Sequence, residues 1–540
     1  MTGFNLRAII TKIGVASKMV LKLNKPSDMK ILLVYPKNPD TFWSFKHALK
    51  FISKKASLPP LGLLTVAAML PEEWEKRLVD MNITDLQDED IRRADYVFIS
   101  GMSIQKNSAR EVISRCKELG VKTVAGGPLF TSSQDEFPEA DYLVLNEAEI
   151  TLPQFLEDLK NGCAKRIYSA GDVKASVLKT PIPLWSLVDI KKYASMNLQY
   201  SRGCPFNCEF CDITMLYGHA PRTKDKYQVI AELEALYSRG WRSAVFFVDD
   251  NFIGNKRKLK TEILPAVIEW MAIRRHPFTF ITQLSINLSD DEELMQLMVQ
   301  AGFDTVFIGI ETPNEESLSE CSKSQNKMRD LISCVKKIQH FGLQVQAGFI
   351  VGFDNDPLSI FHTQIKFIQE SGIVTAMVGL LNALRGTRLY HRLKDENRLL
   401  KDVTGDNTDC SINFIPKMQY ETLVDGYKKI INKIYSPKHY YKRVRTFLRE
   451  YRPLDNRTVF QLRLTHFNAF FKSIIILGVV GKERFQYWKL LIWTMFRRPK
   501  LFPLSVTLAI YGFHFRKVFE NHVRNNSLSL SVPESTLPPL

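Results

Sequence analysis

The sequence predicts an α/β protein with three parts: an N-terminal doubly wound parallel sheet, a central partial (β/α)6 barrel of the TIM type, and a mostly helical C-terminal region. Two successive runs of alternating strand and helix patterns predict the first two parts. A basic segment with long apolar stretches predicts the third. At 540 residues the chain is long enough for several domains, each with its own buried core.

Five short apolar runs separated by helical patterns predict the N-terminal sheet. Strands are expected at residues 30–35, 76–80, 96–100, 121–125 and 142–145, and helices at residues 61–70 and 109–119. Ligands of such sheets bind beyond the carboxyl ends of the strands. Ser100 and Met102 follow the third strand there, and Gly126 and Gly127 follow the fourth. Glycines at this edge allow a ligand to approach the backbone closely because they carry no Cβ.

The central region alternates six strand patterns with five helical patterns. Strands are expected at residues 197–202, 243–249, 278–283, 305–310, 346–351 and 376–381. Helices are expected at residues 228–238, 263–274, 293–301, 328–341 and 359–370. Barrel active sites use the carboxyl ends of the strands, where Asp249, Asp250, Asn251, Gln283 and Glu311 gather. For each carboxylate, an ordinary salt bridge at the barrel rim is the alternative interpretation.

Three cysteines, Cys204, Cys208 and Cys211, stand within eight residues after the first barrel strand. Iron–sulfur clusters bind thiolates, and three thiolates on a four-iron cluster leave one iron open for a substrate or cofactor. A structural zinc site needs four ligands, usually in two spaced pairs, and no second pair lies nearby. Eight cysteines in 540 residues are also too sparse for a disulfide framework and indicate a reducing compartment. We therefore expect a four-iron cluster, with a zinc-binding or chance triplet as the alternative.

Positive charge is concentrated near the C-terminus. Residues 426–525 carry 21 lysines and arginines against 4 acidic residues, whereas the other 440 residues carry 52 against 53. Bulky apolar side chains interleave with this charge, and residues 501–515 contain no charged side chain. Such a segment fits the surface of an anionic membrane. A helical cap on the barrel is one alternative, and nucleic-acid binding is another that the long aliphatic runs disfavour, so no nucleic-acid partner is expected.

The ends of the chain and the domain boundaries complete the prediction. No run reaches the roughly eighteen apolar residues of a membrane-spanning helix, and residues 1–28 lack the long apolar core of a signal peptide. We expect a cytoplasmic protein with peripheral attachment to the inner face of the membrane. The predicted parts are a basic extension at residues 1–28, a first domain at 29–165, a linker at 166–194, the barrel at 195–400, a basic helical domain at 401–525 and a disordered tail at 526–540.

The spacing CxxxCxxC, with Phe210 directly before the last cysteine, resembles the radical S-adenosylmethionine (SAM) enzymes. The first domain resembles the Rossmann-like cobalamin-binding domain that is fused to many of them. Residues 58–63, 201–212, 248–256 and 509–516 are similar to the group that includes the hopanoid C-2 methylases. Methyl carriers of this family often have Asp-x-His-x-x-Gly after the first strand, where this chain has Pro-Lys-Asn-Pro-Asp. The resemblance therefore implies cobalamin bound without a histidine on cobalt.

The resemblance also assigns roles to the candidate site residues. A 4Fe-4S cluster is expected on Cys204, Cys208 and Cys211. SAM is expected to contact the backbone of Phe210 together with Asp249, Asp250, Asn251 and Glu311. Cobalamin is expected against Ser100, Met102, Gly126 and Gly127.

A C-methyltransferase is the activity that the resemblance implies. The reduced cluster would cleave SAM to a radical that takes hydrogen from an unactivated carbon, and methylcobalamin would supply the methyl group. The substrate would be a small molecule or a lipid such as a hopanoid, and an external flavodoxin- or ferredoxin-type donor would supply electrons. Two other functions stay open here: a cobalamin-dependent cyclase or rearrangement enzyme without methyl transfer, and a non-enzymatic cobalamin- or membrane-binding scaffold.

Overall fold

The computed structural model describes residues 29–400, 405–406, 410–453 and 464–526. The predicted extension at residues 1–28 and the tail beyond residue 526 lie outside this part of the chain. Within it, two six-stranded parallel sheets are followed by a helical region, which confirms the predicted fold class. No described helix is both long and apolar enough to cross a bilayer.

The first sheet has the strand order β2-β1-β3-β4-β5-β6. Its strands are β1 Lys30–Tyr35, β2 Glu75–Asp80, β3 Tyr96–Ser100, β4 Lys122–Gly126, β5 Tyr142–Val144 and β6 Ile167–Tyr168. Its helices are α1 Lys46–Leu49, α2 Leu61–Met69, α3 Asp88–Arg92, α4 Lys106–Glu118, α5 Pro128–Ser132 and α6 Ala148–Lys160. Strand β6 comes from residues that the sequence assigned to the linker, so the sheet is one strand wider than predicted.

Apolar side chains on both faces explain why this sheet is covered by helices on both sides. In β1, Leu32 and Val34 belong to one buried cluster, and Ile31 and Leu33 belong to another on the opposite face. Successive side chains of a strand point to opposite faces, so a continuous apolar run requires two covering layers. The order of the strands reverses next to β1, which places a ligand crevice at the carboxyl ends of β1 and β3.

The second sheet is an open, partial barrel with the strand order β7-β10-β11-β12-β13-β14. Its strands are β7 Met196–Leu198, β10 Ala244–Phe247, β11 Thr279–Leu284, β12 Phe303–Glu311, β13 Gln344–Val351 and β14 Ala376–Leu380. Between β7 and β10, β8 Ser201–Arg202 and β9 Arg222–Thr223 form a small antiparallel ribbon. The helices are α7 Ile213–Tyr217, α8 Lys226–Ser238, α9 Leu264–Ile273, α10 Glu292–Ala301, α11 Glu315–Glu320, α12 Leu331–His340, α13 Ile360–Ser371 and α14 Arg388–Asp395.

The first barrel strand is shorter than the predicted strand at residues 197–202. Tyr200 and Ser201 donate their backbone N–H groups to the carboxylate of Asp249, and the Ser201 hydroxyl donates to it at 2.6 Å. Because these N–H groups bond to a side chain and not to a neighbouring strand, the chain leaves the sheet after Leu198. The residues that follow enter the β8–β9 ribbon, which carries the chain into the cysteine loop.

The described residues of the C-terminal region, 410–453 and 464–526, form five helices. They are α15 Tyr420–Ile434, α16 Pro437–Glu450, α17 Leu464–Ser473, α18 Arg484–Arg497 and α19 Phe502–Asn526, and α17 continues as π-helical turns over Ile474–Val480. Helix α19 packs into the core: the Phe515 ring stacks on Phe42, which follows β1, with centroids 4.2 Å apart. The prediction that residues 501–515 face lipid is therefore wrong, because Leu508, Ala509 and Phe515 are fully buried.

Candidate active site

A cavity of about 1950 Å³ lies where the three parts of the chain meet. The first sheet contributes Ser100, Met102, Gly126 and Gly127, and the barrel contributes Asp250, Gln283, Phe307 and Gln346. The C-terminal helices contribute Phe467, Phe470, Val506 and Ile510. Typical ligand pockets measure roughly 300–1,000 Å³, so this cavity has room for more than one ligand.

The two glycines at the first-sheet edge of the cavity are required by the protein's own packing. A Cβ on Gly126 would lie 2.6 Å from the backbone oxygen of Val144 in the neighbouring strand. Gly127 has φ of 90°, and a Cβ there would collide with the Ser100 hydroxyl. The sequence explained this pair by the approach of a ligand alone. The structure adds a packing reason, and both glycines still line the cavity.

The positions of the histidines determine which of them could reach a cobalt ion bound in the cavity. His47 is the histidine of the first domain; its Nε2 lies 3.9 Å from the Asp40 carboxylate, and its ring centroid lies 5.6 Å from that of His514. Neither of these two rings lines the cavity, whereas His466 from α17 does. The first domain therefore presents no histidine to the cavity among its described residues.

The cysteine loop is held by backbone contacts and by an ion pair. Gly203 has φ of 96°, and a Cβ there would approach the Gly218 oxygen to 2.9 Å, so the turn into the loop needs glycine. The N–H of Glu209 donates to the Cys321 backbone oxygen, and the Glu209 carboxylate pairs with Arg392 at 2.7 Å. These contacts fix the loop between the barrel and helix α14.

Amide side chains point at two of the three cysteine sulfurs. The Asn251 Nδ2 lies 3.9 Å from Cys204 Sγ, and the Gln325 Nε2 lies 3.7 Å from Cys208 Sγ. Burial raises the pKa of the Cys204 and Cys211 thiols above its ordinary value. Donors aimed at sulfur suit an anionic iron–sulfur cluster, and the loop therefore fits the predicted group. The sequence did not predict Gln325, which reaches the loop from a turn more than a hundred residues away.

In the described part of the chain, no three histidine, cysteine or carboxylate side chains stand close enough to share one metal ion. A four-iron cluster needs no such convergence, since each cysteine binds a different iron.

Glu311 and Lys323 form a buried ion pair next to the cysteines. The Lys323 Nζ lies 2.7 Å from Glu311 Oε1, and Glu311 has φ of 63°, a rare backbone state for a residue with a side chain. Burial lowers the pKa of Lys323, but Glu311 and the Cys208 thiol raise it above its ordinary value. The sequence predicted Glu311 as a SAM contact and missed Lys323, whose spacing carries no recognisable signal.

The three polar residues after β10 point in different directions. Asp249 is fully buried, and its carboxylate accepts the hydrogen bonds that end strand β7. Asp250 lines the cavity and accepts the Gly203 N–H at 3.2 Å, and burial raises the pKa of its carboxyl to about 6. Asn251 donates to Ser285 Oγ at 3.3 Å besides facing Cys204. The expected contacts of these residues with SAM remain predictions.

Phe210 packs inward from the cysteine loop. Its ring is partly buried against the barrel core, with its centroid 6.3 Å from that of Phe353. This packing holds the backbone between Cys208 and Cys211 in place, and the predicted contact of that backbone with adenine remains a prediction.

A group of ion pairs ties the first domain to the ribbon before the cysteine loop. Arg202 donates to Glu147 at 2.8 Å and to Glu149 at 2.8 Å, and Arg222 also donates to Glu147. Both carboxylates follow β5, and both arginines belong to the β8–β9 ribbon. The pairs are largely shielded from water, since only 2% of the Glu147 side chain and 11% of the Arg202 side chain are exposed.

Comparison with known proteins agrees with this arrangement. The model of the B12 binding domain matches residues 52–156, and the model of the radical SAM superfamily matches residues 198–368. A domain of unknown function, DUF4070, matches residues 387–527. The first-sheet edge of the cavity thus falls in the cobalamin-binding match, and the cysteine loop falls in the radical SAM match.

Relatives and solved structures extend the similarity to nearly the whole chain. An uncharacterized methyltransferase of Synechocystis sp. is 43% identical over 90% of this chain and 91% of its own length. The hopanoid C-2 methylase of Rhodopseudomonas palustris is 30% identical over 94% of this chain and 98% of its own length. The structure of the cobalamin-dependent SAM radical enzyme OxsB is similar in fold, with a TM-score of 0.58 and 14% identity over 97% of this chain and 86% of that one.

Fold and site together define a radical SAM enzyme with a cobalamin-binding domain. The chain belongs to the cobalamin-dependent radical SAM methyltransferases. Its cofactors are a 4Fe-4S cluster, SAM and cobalamin, which supply the radical and methyl-transfer chemistry when bound. The residues of this chain hold the cysteine loop and shape the cavity. The cyclase and scaffold alternatives are set aside, because the close relatives are methyltransferases.

Proposed function

We propose that this enzyme methylates an unactivated carbon of an apolar, ring-containing lipid of the hopanoid type. The proposal rests on the composition of the cavity at the end that the C-terminal helices line. Phe470, Phe502, Val506 and Ile510 line that end and present no charge. An apolar wall of this kind suits a hydrocarbon skeleton, because burying apolar surface drives binding.

Similarity to the hopanoid C-2 methylase supports the lipid class. That relative matches the chain along 94% of its length, so the match extends into the C-terminal helices that supply the apolar wall. Contacts with SAM are proposed for Phe210, Asp249, Asp250, Asn251 and Glu311, and contacts with cobalamin for Ser100, Met102, Gly126 and Gly127. Cys204, Cys208 and Cys211 are proposed to hold the cluster.

The proposed chemistry also implies an electron donor and a cellular location. A radical SAM cluster must be reduced before each cleavage, so an external donor of the flavodoxin or ferredoxin type is proposed to supply electrons. The proposed location is the cytoplasm, with peripheral attachment to the membrane that contains the lipid.

Reconstitution tests the proposal directly. The enzyme is loaded anaerobically with cluster and cobalamin, and then supplied with reductant, a hopanoid and SAM that carries a trideuterated methyl group. We expect a lipid product that has gained the labelled methyl group. Formation of 5′-deoxyadenosine without any labelled lipid would contradict the lipid assignment.

A cavity-filling variant tests whether the apolar end binds the lipid. Thr507→Trp places a large ring in that end and is expected to lower methylation at least tenfold while iron and cobalamin contents are retained. Lys517→Trp adds the same ring to the same helix at a half-exposed position outside the cavity lining and serves as the matched control. Equal activity of the two variants would place the lipid elsewhere.

A further inference from the structure

Helices α17 and α18 carry an unusual amount of exposed apolar surface. Of the 24 large apolar side chains that are exposed in the described part of the chain, ten lie between residues 467 and 496. They are Phe467, Phe471, Ile475, Val479, Val480, Phe485, Trp488, Ile492, Met495 and Phe496, and they are called the hairpin surface below. Soluble proteins rarely leave so much apolar area in contact with water, so the hairpin surface is expected to bind something.

The charges around the hairpin surface indicate the partner. Residues 464–501 contain seven lysines and arginines and one acidic residue, Glu483. Glu483 is buried against Arg516, so it leaves the positive charge of the outer face uncompensated. Lys482, Arg484 and Lys489 are exposed among the apolar side chains. Protein interfaces are depleted in lysine, whereas helices at an anionic membrane combine basic and bulky apolar side chains.

The hairpin surface is continuous with the cavity. Phe467 is 46% exposed and also lines the cavity, so the cavity reaches the surface beside it. One turn further along α17, Phe470 lines the cavity with its ring centroid 5.7 Å from that of Phe502 in α19. Lys472 donates to the Lys50 backbone oxygen at 3.0 Å, which ties α17 to the first domain.

We propose that the hairpin surface inserts into the outer part of an anionic lipid leaflet and that the lipid substrate enters the cavity beside Phe467. The docking step is independent of the reaction, whereas the entry step rests on the proposed lipid substrate. The same two helices would then serve as membrane anchor and as one wall of the substrate path.

Vesicle flotation tests the docking step with the full-length protein. Vesicles of phosphatidylcholine alone are compared with vesicles that contain equal parts of phosphatidylglycerol, at low and at high salt. We expect binding to the anionic vesicles that persists in part at high salt, because the apolar contacts are not screened. Absence of binding under all conditions would overturn the docking step and favour a partner protein, a second copy or another part of the chain on this surface.

Two sets of variants identify the residues responsible. Phe471→Ser combined with Phe485→Ser is expected to weaken binding at least tenfold, because two large side chains no longer reach hydrocarbon. Leu358→Ser combined with Val173→Ser removes comparable exposed apolar groups elsewhere and is expected to leave binding unchanged.

A charge-reversal set tests the electrostatic part. Lys482→Glu, Arg484→Glu and Lys489→Glu are each expected to weaken binding to anionic vesicles about fivefold or more. Lys117→Glu, on an exposed position of helix α4, is the control. If the control loses as much binding as the hairpin variants, the attraction is a property of the net charge and the hairpin surface is not the anchor.

Tryptophan fluorescence reports insertion directly. Trp488 is 39% exposed in the hairpin surface. Of the other tryptophans, Trp43 is 38% exposed but lines the cavity, Trp493 is partly buried, and Trp74, Trp185, Trp241 and Trp270 are each less than a tenth exposed. Vesicles of brominated phospholipid are expected to quench the protein, and Trp488→Phe is expected to remove much of that quenching. Quenching that is unchanged in Trp488→Phe would contradict insertion at this surface.

Photocrosslinking tests the entry step without requiring turnover. A fatty acid that carries a diazirine is placed in the vesicles, and adducts on the protein are mapped by mass spectrometry. We expect adducts on the hairpin surface and on the cavity wall, including Phe470 and Ile510. Adducts on the hairpin surface alone would support docking and overturn entry beside Phe467.

Different results would contradict the docking step and the proposed lipid function. If a hopanoid dispersed in detergent is methylated but the protein does not bind vesicles, the lipid function holds and the docking step fails. If the protein binds vesicles through the hairpin surface but methylates no hopanoid, the docking step holds and the lipid function fails.

Discussion

At the residue scale, one carboxylate determines where the cysteine loop begins. Asp249 accepts the N–H groups of Tyr200 and Ser201, which would otherwise continue strand β7. Its neighbour Asp250 accepts one backbone N–H and faces the cavity. In the structure, Asp249 therefore positions the chain that enters the cysteine loop, whereas Asp250 faces the cavity.

Asp249→Asn is expected to disturb the cysteine loop more than Asp250→Asn does. The amide replaces one acceptor oxygen by a donor, so a buried N–H loses its partner at a cost of about 1–3 kcal/mol. We expect a lower melting temperature and a lower iron content after reconstitution for Asp249→Asn. For Asp250→Asn we expect normal iron content and weaker SAM binding. Equal iron contents in both variants would refute the positioning role of Asp249.

Whether a histidine binds cobalt also depends on the positions of single side chains. His47 does not line the cavity, and the Pro-Lys-Asn-Pro-Asp segment after Tyr35 contains no histidine. We expect the electron paramagnetic resonance spectrum of bound cob(II)alamin to lack splitting from a nitrogen ligand. A nitrogen triplet would contradict this prediction, and its loss in His466→Ala would identify the histidine that lines the cavity as the ligand.

At the element scale, charged groups join the cysteine loop to elements far along the chain. Arg392 in α14 pairs with Glu209 of the loop and with Asp354, which follows β13. Arg398 pairs with the same Asp354 carboxylate at 2.6 Å. Burial alone would raise the pKa of Asp354, but hydrogen bonds from Arg398 and Arg392 lower it to about 2.

This network predicts a pH dependence of stability. The pKa of Asp354 is lower in the folded protein than its ordinary value of 3.8, so the ionised carboxylate stabilises the fold above that pH. The contribution is lost as the pH falls through about 2. We expect Asp354→Asn to be less stable than the wild type at pH values near neutrality, measured by denaturant unfolding. A difference that does not shrink in acid would contradict the assignment.

Breaking the ion pairs between the first domain and the ribbon is expected to lower the stability of the fold by a larger amount. Glu147→Gln removes the buried carboxylate that pairs with both Arg202 and Arg222. Removing one partner of a buried ion pair typically lowers the free energy of unfolding by about 3–5 kcal/mol. Glu89→Gln removes one member of an exposed pair with Arg93 and is expected to cost less than about 1 kcal/mol. Melting temperatures of the two variants check this, and similar small shifts would show that the bridge does not hold the domains together.

Local sequence patterns predict most of the elements but not the contacts between residues that are distant in sequence. The strands and the cysteine loop follow from local patterns, and the structure has them near the predicted bounds. The break after Leu198 could not be predicted, because it depends on Asp249, which is remote in sequence. Lys323 and Gln325 were missed for the same reason, and the apolar run of α19 was misread because its cover, Phe42, lies in the first domain.

At the scale of the whole molecule, the three parts of the chain enclose one reaction space. The first sheet presents the candidate cobalamin edge, the barrel presents Asp250 beside the cysteine loop, and the C-terminal helices present an apolar wall. Residues of all three parts line the same cavity of about 1950 Å³. On the proposed function, hydrogen removal and methyl addition would both take place in this one cavity.

The measurement that tests this account most directly follows two labels in one reaction. A hopanoid that carries deuterium at its ring carbons is incubated anaerobically with the reconstituted enzyme, reductant and SAM with a carbon-13 methyl group. Mass spectrometry then measures deuterium in 5′-deoxyadenosine and carbon-13 in the lipid. The account predicts that each labelled lipid loses one ring deuterium and that this deuterium appears in 5′-deoxyadenosine. Labelled lipid that keeps all its ring deuterium, or 5′-deoxyadenosine without deuterium, would contradict it.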